Sequence, residues 1–308
     1  MKVLVTGGAG FIGSHIVDHL IIDHYEVSVV DNLSTGKVEN LNASAVFYQV
    51  DILDYKNLKK VFELEKPQYV IHHAAQTNVQ QSIINPSFDA ETNILGTINV
   101  LRCCVEFGTE KIVYASSAAI YGNPRYPGIT EYHTVEPLSF YGVSKYTPEQ
   151  YIKVFADLYQ FDYTILRYAN AYGTRQDPNG EAGVVSIFIN KLLTRKQPVI
   201  FGDGTQTRDF IYVEDIALAN LAALHLRGKH IINISTNQPT SLLELLEMMN
   251  KIYGSKMLPI YAMAKQGDIK ASYLDNSKAQ KLLSWEPQYT LFKGLTTTME
   301  YYRDLYAT

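Results

Sequence analysis

The 308-residue chain reads as an α/β protein, a doubly wound parallel sheet followed by a smaller C-terminal α/β domain. Three observations predict this. Short apolar runs rich in β-branched residues alternate with helical patterns as far as Arg167. A glycine-rich turn follows the first of those runs immediately. A stretch from Gly173 to Gly183, with Pro178, Asn179 and further glycine, then breaks the alternation where a second domain should begin.

Lys2-Val3-Leu4-Val5-Thr6 is the first strand, Gly7-Gly8-Ala9-Gly10-Phe11-Ile12-Gly13 the turn, and Ser14 to Ile22 the expected helix. Strand, glycine turn and helix in that order suit a dinucleotide pyrophosphate. They supply backbone without Cβ atoms, outward-facing amides and a positive helix end. The G-x-x-G-x-x-G spacing of Gly7, Gly10 and Gly13 differs by one residue from the commoner fingerprint. Tight turns also use glycine for purely structural reasons, so the position after a first strand carries the argument. The second strand, Val27 to Val30, ends at Asp31, 18 residues after Gly13. A carboxylate there can accept from both adenosine ribose hydroxyls and repels a 2′-phosphate, which favours NAD over NADP. The alternative is that Asp31-Asn32 only opens a polar turn. Asp51-Ile52 follows the strand Val46 to Val50 with the same placement and can meet the adenine ring.

Strands at Tyr69 to Ile71, Lys111 to Ala115 and Asp162 to Arg167 continue the series. Ser116-Ser117 ends the middle one of these, at the edge where open α/β sheets place ligands. Tyr141 and Lys145 stand four residues apart, on one face of a helix. A phenol with a pKa near ~10 is too weak a base at neutral pH, and a neighbouring ammonium lowers that value by favouring the phenolate. Pro148, one turn further on, lacks an amide hydrogen inside this helix at a cost of roughly 3 kcal/mol. It predicts either a kink or a reshaped turn. Ser241 to Tyr253 is an amphipathic helix with Ser241 as cap and Glu244 at the capping-box position.

The stretches Thr6 to Gly13, Val30-Asp31-Asn32-Leu33-Ser34, His73-Ala74-Ala75-Gln76, Ser116 to Gly122, Tyr141 to Lys145, Leu166-Arg167-Tyr168-Ala169-Asn170 and Gly204 to Phe210 run in order along the chain. In them the chain resembles the extended short-chain dehydrogenase/reductases, and within these the nucleotide-sugar epimerases of the UDP-glucose 4-epimerase type. The resemblance implies a Rossmann domain over residues 1–168, with 209–236 crossing back to it, and a nucleotide-sugar-binding domain over 169–208 and 237–308. It implies NAD held by Gly7, Gly10, Phe11, Ile12, Gly13, Asp31, Asn32, Asp51, Ile52, Ala74, Ala75, Asn93, Tyr141, Lys145 and Tyr168. It implies a UDP-sugar met by Ser117, Tyr141, Asn170, Arg208, Lys265, Asp268 and Ser272, a homodimer and no metal. Arg208 offers phosphate a bidentate fork. Its other reading is an ion pair with Asp209. Lys265 stands where the family usually has arginine.

In such enzymes the tyrosine takes the 4-hydroxyl proton as hydride leaves C4, the serine orients the hydroxyl, and the 4-keto sugar rotates before reduction on its other face. A 4,6-dehydratase of the same family would carry an Asp-Glu pair at the positions of Ala118 and Ala119, and methyl groups transfer no proton. A UDP-glucuronate 4-epimerase and a non-catalytic dinucleotide-binding regulator are the other readings, the latter set against the presence of Ser, Tyr and Lys together. Ser272 aligns where the family carries tyrosine in enzymes restricted to glucose and galactose, and a small residue in those also accepting N-acetylated sugars.

With 46% apolar residues the chain can bury a substantial core, and its net charge of −4 gives no footprint for nucleic acid. Cys103 and Cys104 are adjacent on an expected helix, which excludes an ordinary disulfide framework and fits a reducing cytoplasm. No leader pattern precedes the first strand and no apolar run approaches the ~18 residues of a membrane span.

Overall fold

A computed structural model describes residues 1–177, 183–264 and 269–307. Among these, the strands are β1 (Lys2–Thr6), β2 (Glu26–Asp31), β3 (Val46–Gln49), β4 (Tyr69–His72), β5 (Lys111–Ser117) and β6 (Asp162–Tyr168), then β7 (Asn170–Tyr172), β8 (Val199–Phe201), β9 (Thr207–Tyr212), β10 (Lys229–Ile234), β11 (Pro239–Ser241) and β12 (Ile260–Ala262). Seven of them form one sheet in the order β10-β6-β5-β4-β1-β2-β3, with every neighbouring pair parallel. The order reverses at β1, so a crevice opens beyond its carboxyl end, between β1 and β4.

Alternation along each strand explains the continuous apolar runs, because both faces of the sheet are covered. Val3, Val5, Val27, Val29, Ile71 and Val113 pack toward helices Phe11–Ile22 and Val213–His225. Leu4, Val30, Val70, Ile112, Tyr114 and Ile165 face helices Tyr55–Glu65, Gly96–Phe107 and Phe140–Tyr159. Cys103 and Cys104 lie in this second layer as buried free thiols, and burial raises both to about 12.

A separate core gathers Tyr172, Phe188, Ile200, Phe210, Leu245 and Met299 beneath a three-stranded sheet in the order β11-β9-β7. The parallel pair β8 and β12 lies in the same half of the chain. The chain crosses back through Val213–His225, and β10 pairs with β6 from Lys229↔Tyr163 to Ile234↔Tyr168. Helix Leu242–Tyr253 begins with the full capping box, Ser241 and Glu244 exchanging backbone and side-chain bonds.

Two local expectations are modified. The first helix starts at Phe11, not Ser14, with Gly10 as its extended N-cap. Glycine's poor helix propensity argues against including Gly13, but the close approach of this turn to Gly7 overrides it. Pro148 leaves helix Phe140–Tyr159 continuous. The bond it removes is the one to the Ser144 carbonyl, downstream of Tyr141 and one residue short of Lys145. No helix among the described residues is long and apolar enough to cross a membrane.

Candidate active site

A cleft of about 440 Å³ lies at the switch point, lined at one end by Gly7, Gly10, Phe11, Ile12, Gly13 and Asp31 and at the other by Ser116, Tyr141, Lys145 and Tyr168. Gly7 has φ +71°, and a Cβ on Gly13 would stand 2.1 Å from the Gly7 carbonyl oxygen. No side chain fits there, which leaves bare backbone against the cleft at the start of a helix. That cradle is what a dinucleotide's pyrophosphate requires.

Asp31 is 7% exposed and ends β2. Its carboxylate accepts from the Ala9 N–H at 3.0 Å and the Leu33 N–H at 2.8 Å, and burial raises its pKa against those bonds. Asn32 donates to Asp51 at 2.8 Å, which ties the ends of β2 and β3 together beside Ile52. Ala74 and Ala75 line the floor, the Ala74 N–H donating to Thr6 Oγ1 at 3.2 Å.

Tyr141 and Lys145 both line the cleft from one face of helix Phe140–Tyr159, which Ser139 caps through the Gly142 N–H. The Tyr141 N–H donates to Ser82 Oγ at 3.2 Å, and Lys145 is 4% exposed. The Lys145 ammonium sits 4.9 Å from the centre of the Tyr114 ring. Tyr168 bonds Asn220 and stacks on His73 at 5.7 Å. Burial holds His72 and His73 down at about 3, so both are neutral at physiological pH.

Two residues assigned by the resemblance to the cofactor and sugar, Ser117 and Asn93, lie outside the cleft lining. Ser116, not Ser117, is in the cleft lining, and its hydroxyl donates to Glu149 at 2.6 Å. The Ser117 hydroxyl accepts from the Ala119 N–H at 3.2 Å, which leaves its own proton to give. Asn93 is 1% exposed and outside the lining; its amide accepts from the Gln76 N–H and donates to the Gln76 carbonyl and Ser144 Oγ, bracing the loop that forms the wall.

Asn170 and Arg208 lie in the three-stranded sheet, Asn170 exposed and opposite Phe210. Arg208 Nη1 donates to the carbonyls of Thr207 and Ile269, while Asp209 is buried and accepts from Thr236, Asn237 and Leu274. Burial raises Asp209 to about 6. Ser272 donates its N–H to the Thr207 carbonyl at 3.2 Å, so positions 65 residues apart meet on one strand edge. Lys265 and Asp268 lie outside the described residues.

Sequence reading did not single out Glu149, fully buried four residues after Lys145. It forms a bidentate pair with Arg167, Oε1 to Nε at 3.0 Å and Oε2 to Nη2 at 2.6 Å. Burial pulls the Arg167 pKa down, but the bonds and charge of Glu149 outweigh it and the net shift is upward. The i, i+4, i+8 series Tyr141, Lys145, Glu149 was the available signal.

Fold and cleft together define a dinucleotide-binding α/β protein with a tyrosine-lysine pair at its reactive end. A family model described as the NAD dependent epimerase/dehydratase family matches residues 3–235, and the chain belongs to that family. It is 48% identical over 303 residues to a putative UDP-glucose 4-epimerase of Methanocaldococcus jannaschii, covering 98% of each chain. The UDP-glucose 4-epimerase of Thermotoga maritima, solved with UDP-glucose, superposes with a TM-score of 0.97 at 45% identity, over 99% of this chain and 100% of that one. A UDP-N-acetylglucosamine 4-epimerase from Methanobrevibacter ruminantium, in complex with UDP-N-acetylmuramic acid, gives 0.94 at 35% identity over 99% and 98%.

Proposed function

We propose that this protein is an isomerase, an NAD-dependent 4-epimerase of UDP-hexoses working through a 4-keto sugar. One observation carries the reading: Tyr141 and Lys145 share a helix face and line the same cleft as the glycine turn and Asp31. The glycine cradle fits the pyrophosphate and Asp31 fits the adenosine ribose. The glycine turn and Asp31 would hold NAD, which would supply a reversible acceptor for the hydride at C4 of the sugar. Tyr141, as phenolate, takes the 4-hydroxyl proton and gives it back. Lys145 stabilises the phenolate by its charge. Ser117 retains a proton with which to orient the sugar oxygen. Arg208 and Asn170, on the facing sheet, hold the diphosphate while the sugar turns, within a division into a dinucleotide domain of 1–168 plus 209–236 and a sugar-nucleotide domain formed by the remainder.

Ser272 supports acceptance of N-acetylated sugars, because serine leaves room for an acetamido group where a phenol ring would not. Incubating the purified protein with UDP-galactose, UDP-GalNAc and UDP-glucuronate, and identifying the products, tests the assignment. Conversion of UDP-galactose and UDP-GalNAc to their C4 epimers is expected, and no conversion of any of the three would overturn it. Ser272→Tyr should lose N-acetyl turnover and keep the glucose reaction; equal losses would refute the gate.

Val143, Tyr151, Val154 and Leu158 form an exposed apolar stripe opposite the buried face of the Tyr141 helix. It supports a homodimer built on this helix. The buried thiols support a reducing, cytoplasmic setting. Light scattering of Val154→Glu/Leu158→Glu beside the parent protein tests the dimer, a monomer being expected of the variant.

A further inference from the structure

Tyr114 belongs to β5 and is 2% exposed, with its ring turned to the layer occupied by helix Phe140–Tyr159. Its hydroxyl donates to the Lys145 carbonyl at 3.3 Å, and its ring faces the Lys145 ammonium at 4.9 Å. One side chain thus holds the lysine at both ends, by backbone and by charge. On its other side the ring meets His72 at 5.7 Å. Thr97 gives its only hydroxyl proton to the Asn93 carbonyl, so it accepts from His72 Nε2–H at 2.9 Å. His72 Nδ1 therefore accepts from the Thr6 hydroxyl at 2.6 Å, and the imidazole is fixed neutral. His73 is likewise neutral, and both carboxylate oxygens of Glu149 are engaged by Ser116 and Arg167. Of the ionisable groups around the ring, namely Tyr141, His72, His73, Glu149 and Lys145, only the ammonium of Lys145 presents a positive charge to its face. A ring face attracts such a charge most strongly where water is excluded.

We propose that Tyr114 is a positioning residue, an aromatic floor that keeps the Lys145 ammonium charged and in place so that Tyr141 can work as a phenolate. The proposal rests on the 4-epimerase reading for its kinetic arm and is independent of it for its spectroscopic arm. The spectroscopic arm uses protein with 13C-labelled lysine, with the Lys145 signals assigned by their loss in Lys145→Met. A cation over a ring face puts the Lys145 Hε protons in its shielding cone, so they should be displaced upfield in the unsubstituted protein. Unshifted resonances would overturn the contact without any substitution at Tyr114. Tyr114→Phe keeps the ring and should leave the Lys145 titration in place. Tyr114→Leu, or Tyr114→Met where leucine destabilises the fold, should lower it by about one pH unit, the size expected of a desolvated cation–π contact.

In the kinetic arm, the rising limb of the turnover–pH profile should move up in the ring-less variant, because an ammonium no longer held in place stabilises the Tyr141 phenolate less, with turnover below the limb slowed roughly tenfold per pH unit of displacement and near-parental turnover above it. A uniform loss at every pH would assign Tyr114 a packing role only. A shift in Tyr114→Phe equal to that in the ring-less variant would assign the effect to the hydroxyl. Absence of epimerisation by the unsubstituted protein would sink the 4-epimerase reading instead and leave the lysine titration to decide the floor.

Discussion

Replacing Glu149 by glutamine preserves the shape of the side chain and deletes its charge. Arg167, 3% exposed, would keep its guanidinium beside a neutral amide while remaining bonded to Tyr121 at 2.9 Å. Removing one partner of a buried ion pair costs about 3–5 kcal/mol. The amide can still accept one of the two guanidinium bonds, so the lower end, ~3 kcal/mol, is expected. At roughly 2.1 cal/mol/K per residue, 308 residues unfold with an entropy of ~650 cal/mol/K, and ~3 kcal/mol lowers the melting temperature by about 5 °C. The loss is local to the helix that carries Tyr141 and Lys145, since Glu149 also anchors Ser116 on β5. Calorimetry of the NAD-loaded protein at neutral pH measures it, beside a Glu149→Leu/Arg167→Met double variant that strands no charge. The double variant should recover at least half of the loss. A Glu149→Gln protein melting within about 1 °C of the parent, or a double variant as unstable as the sum of both single ones, would refute the argument.

Tyr141→Phe should lower UDP-galactose turnover at least ~100-fold while sparing NAD binding, as it removes an acid/base oxygen and keeps the ring; more than about a tenth of parental turnover would show that the assigned role is wrong. Nucleotide released by denaturing the purified protein should be NAD, because a 2′-phosphate would stand against the Asp31 carboxylate; chiefly NADP would sink that assignment. His19 and His15 bond opposite oxygens of Glu214 at 2.5 and 2.7 Å, clamping the first helix to Val213–His225. The bond to Glu214 raises the His19 pKa against burial. Burial pushes the Glu214 carboxyl up, but both histidines outweigh it and the net shift is downward. The raised His19 contributes stability that is full below its ordinary 6.5 and is lost as pH rises through the shifted value, whereas the Glu214 contribution is present above 4.5 and is lost on acidification. Melting temperature against pH should therefore fall less steeply above pH 6.5 in His19→Gln than in the parent; parallel curves would exclude the clamp.

Local sequence determined the parallel sheet, the glycine turn, Asp31 at a strand end and the Tyr141–Lys145 spacing, because each depends on periodicity or on contacts within a few residues. Two-faced burial makes the centres of β1 and β5 unbroken apolar runs, and helical period alone places Tyr141 over Lys145. What required the tertiary structure was every contact between distant segments. The helix begins at Phe11 because bare Gly13 lies against the Gly7 carbonyl, an approach propensity cannot anticipate. Strand alternation and packing turn Ser116 to Glu149 while Ser117 caps the next turn, a choice two adjacent serines leave open. Arg167 finds Glu149, Tyr114 floors Lys145, and Ser272 meets Thr207 across 18 to 65 residues of chain. Each of these is set by which strands neighbour one another, and strand order is a property of the folded sheet and not of any single segment.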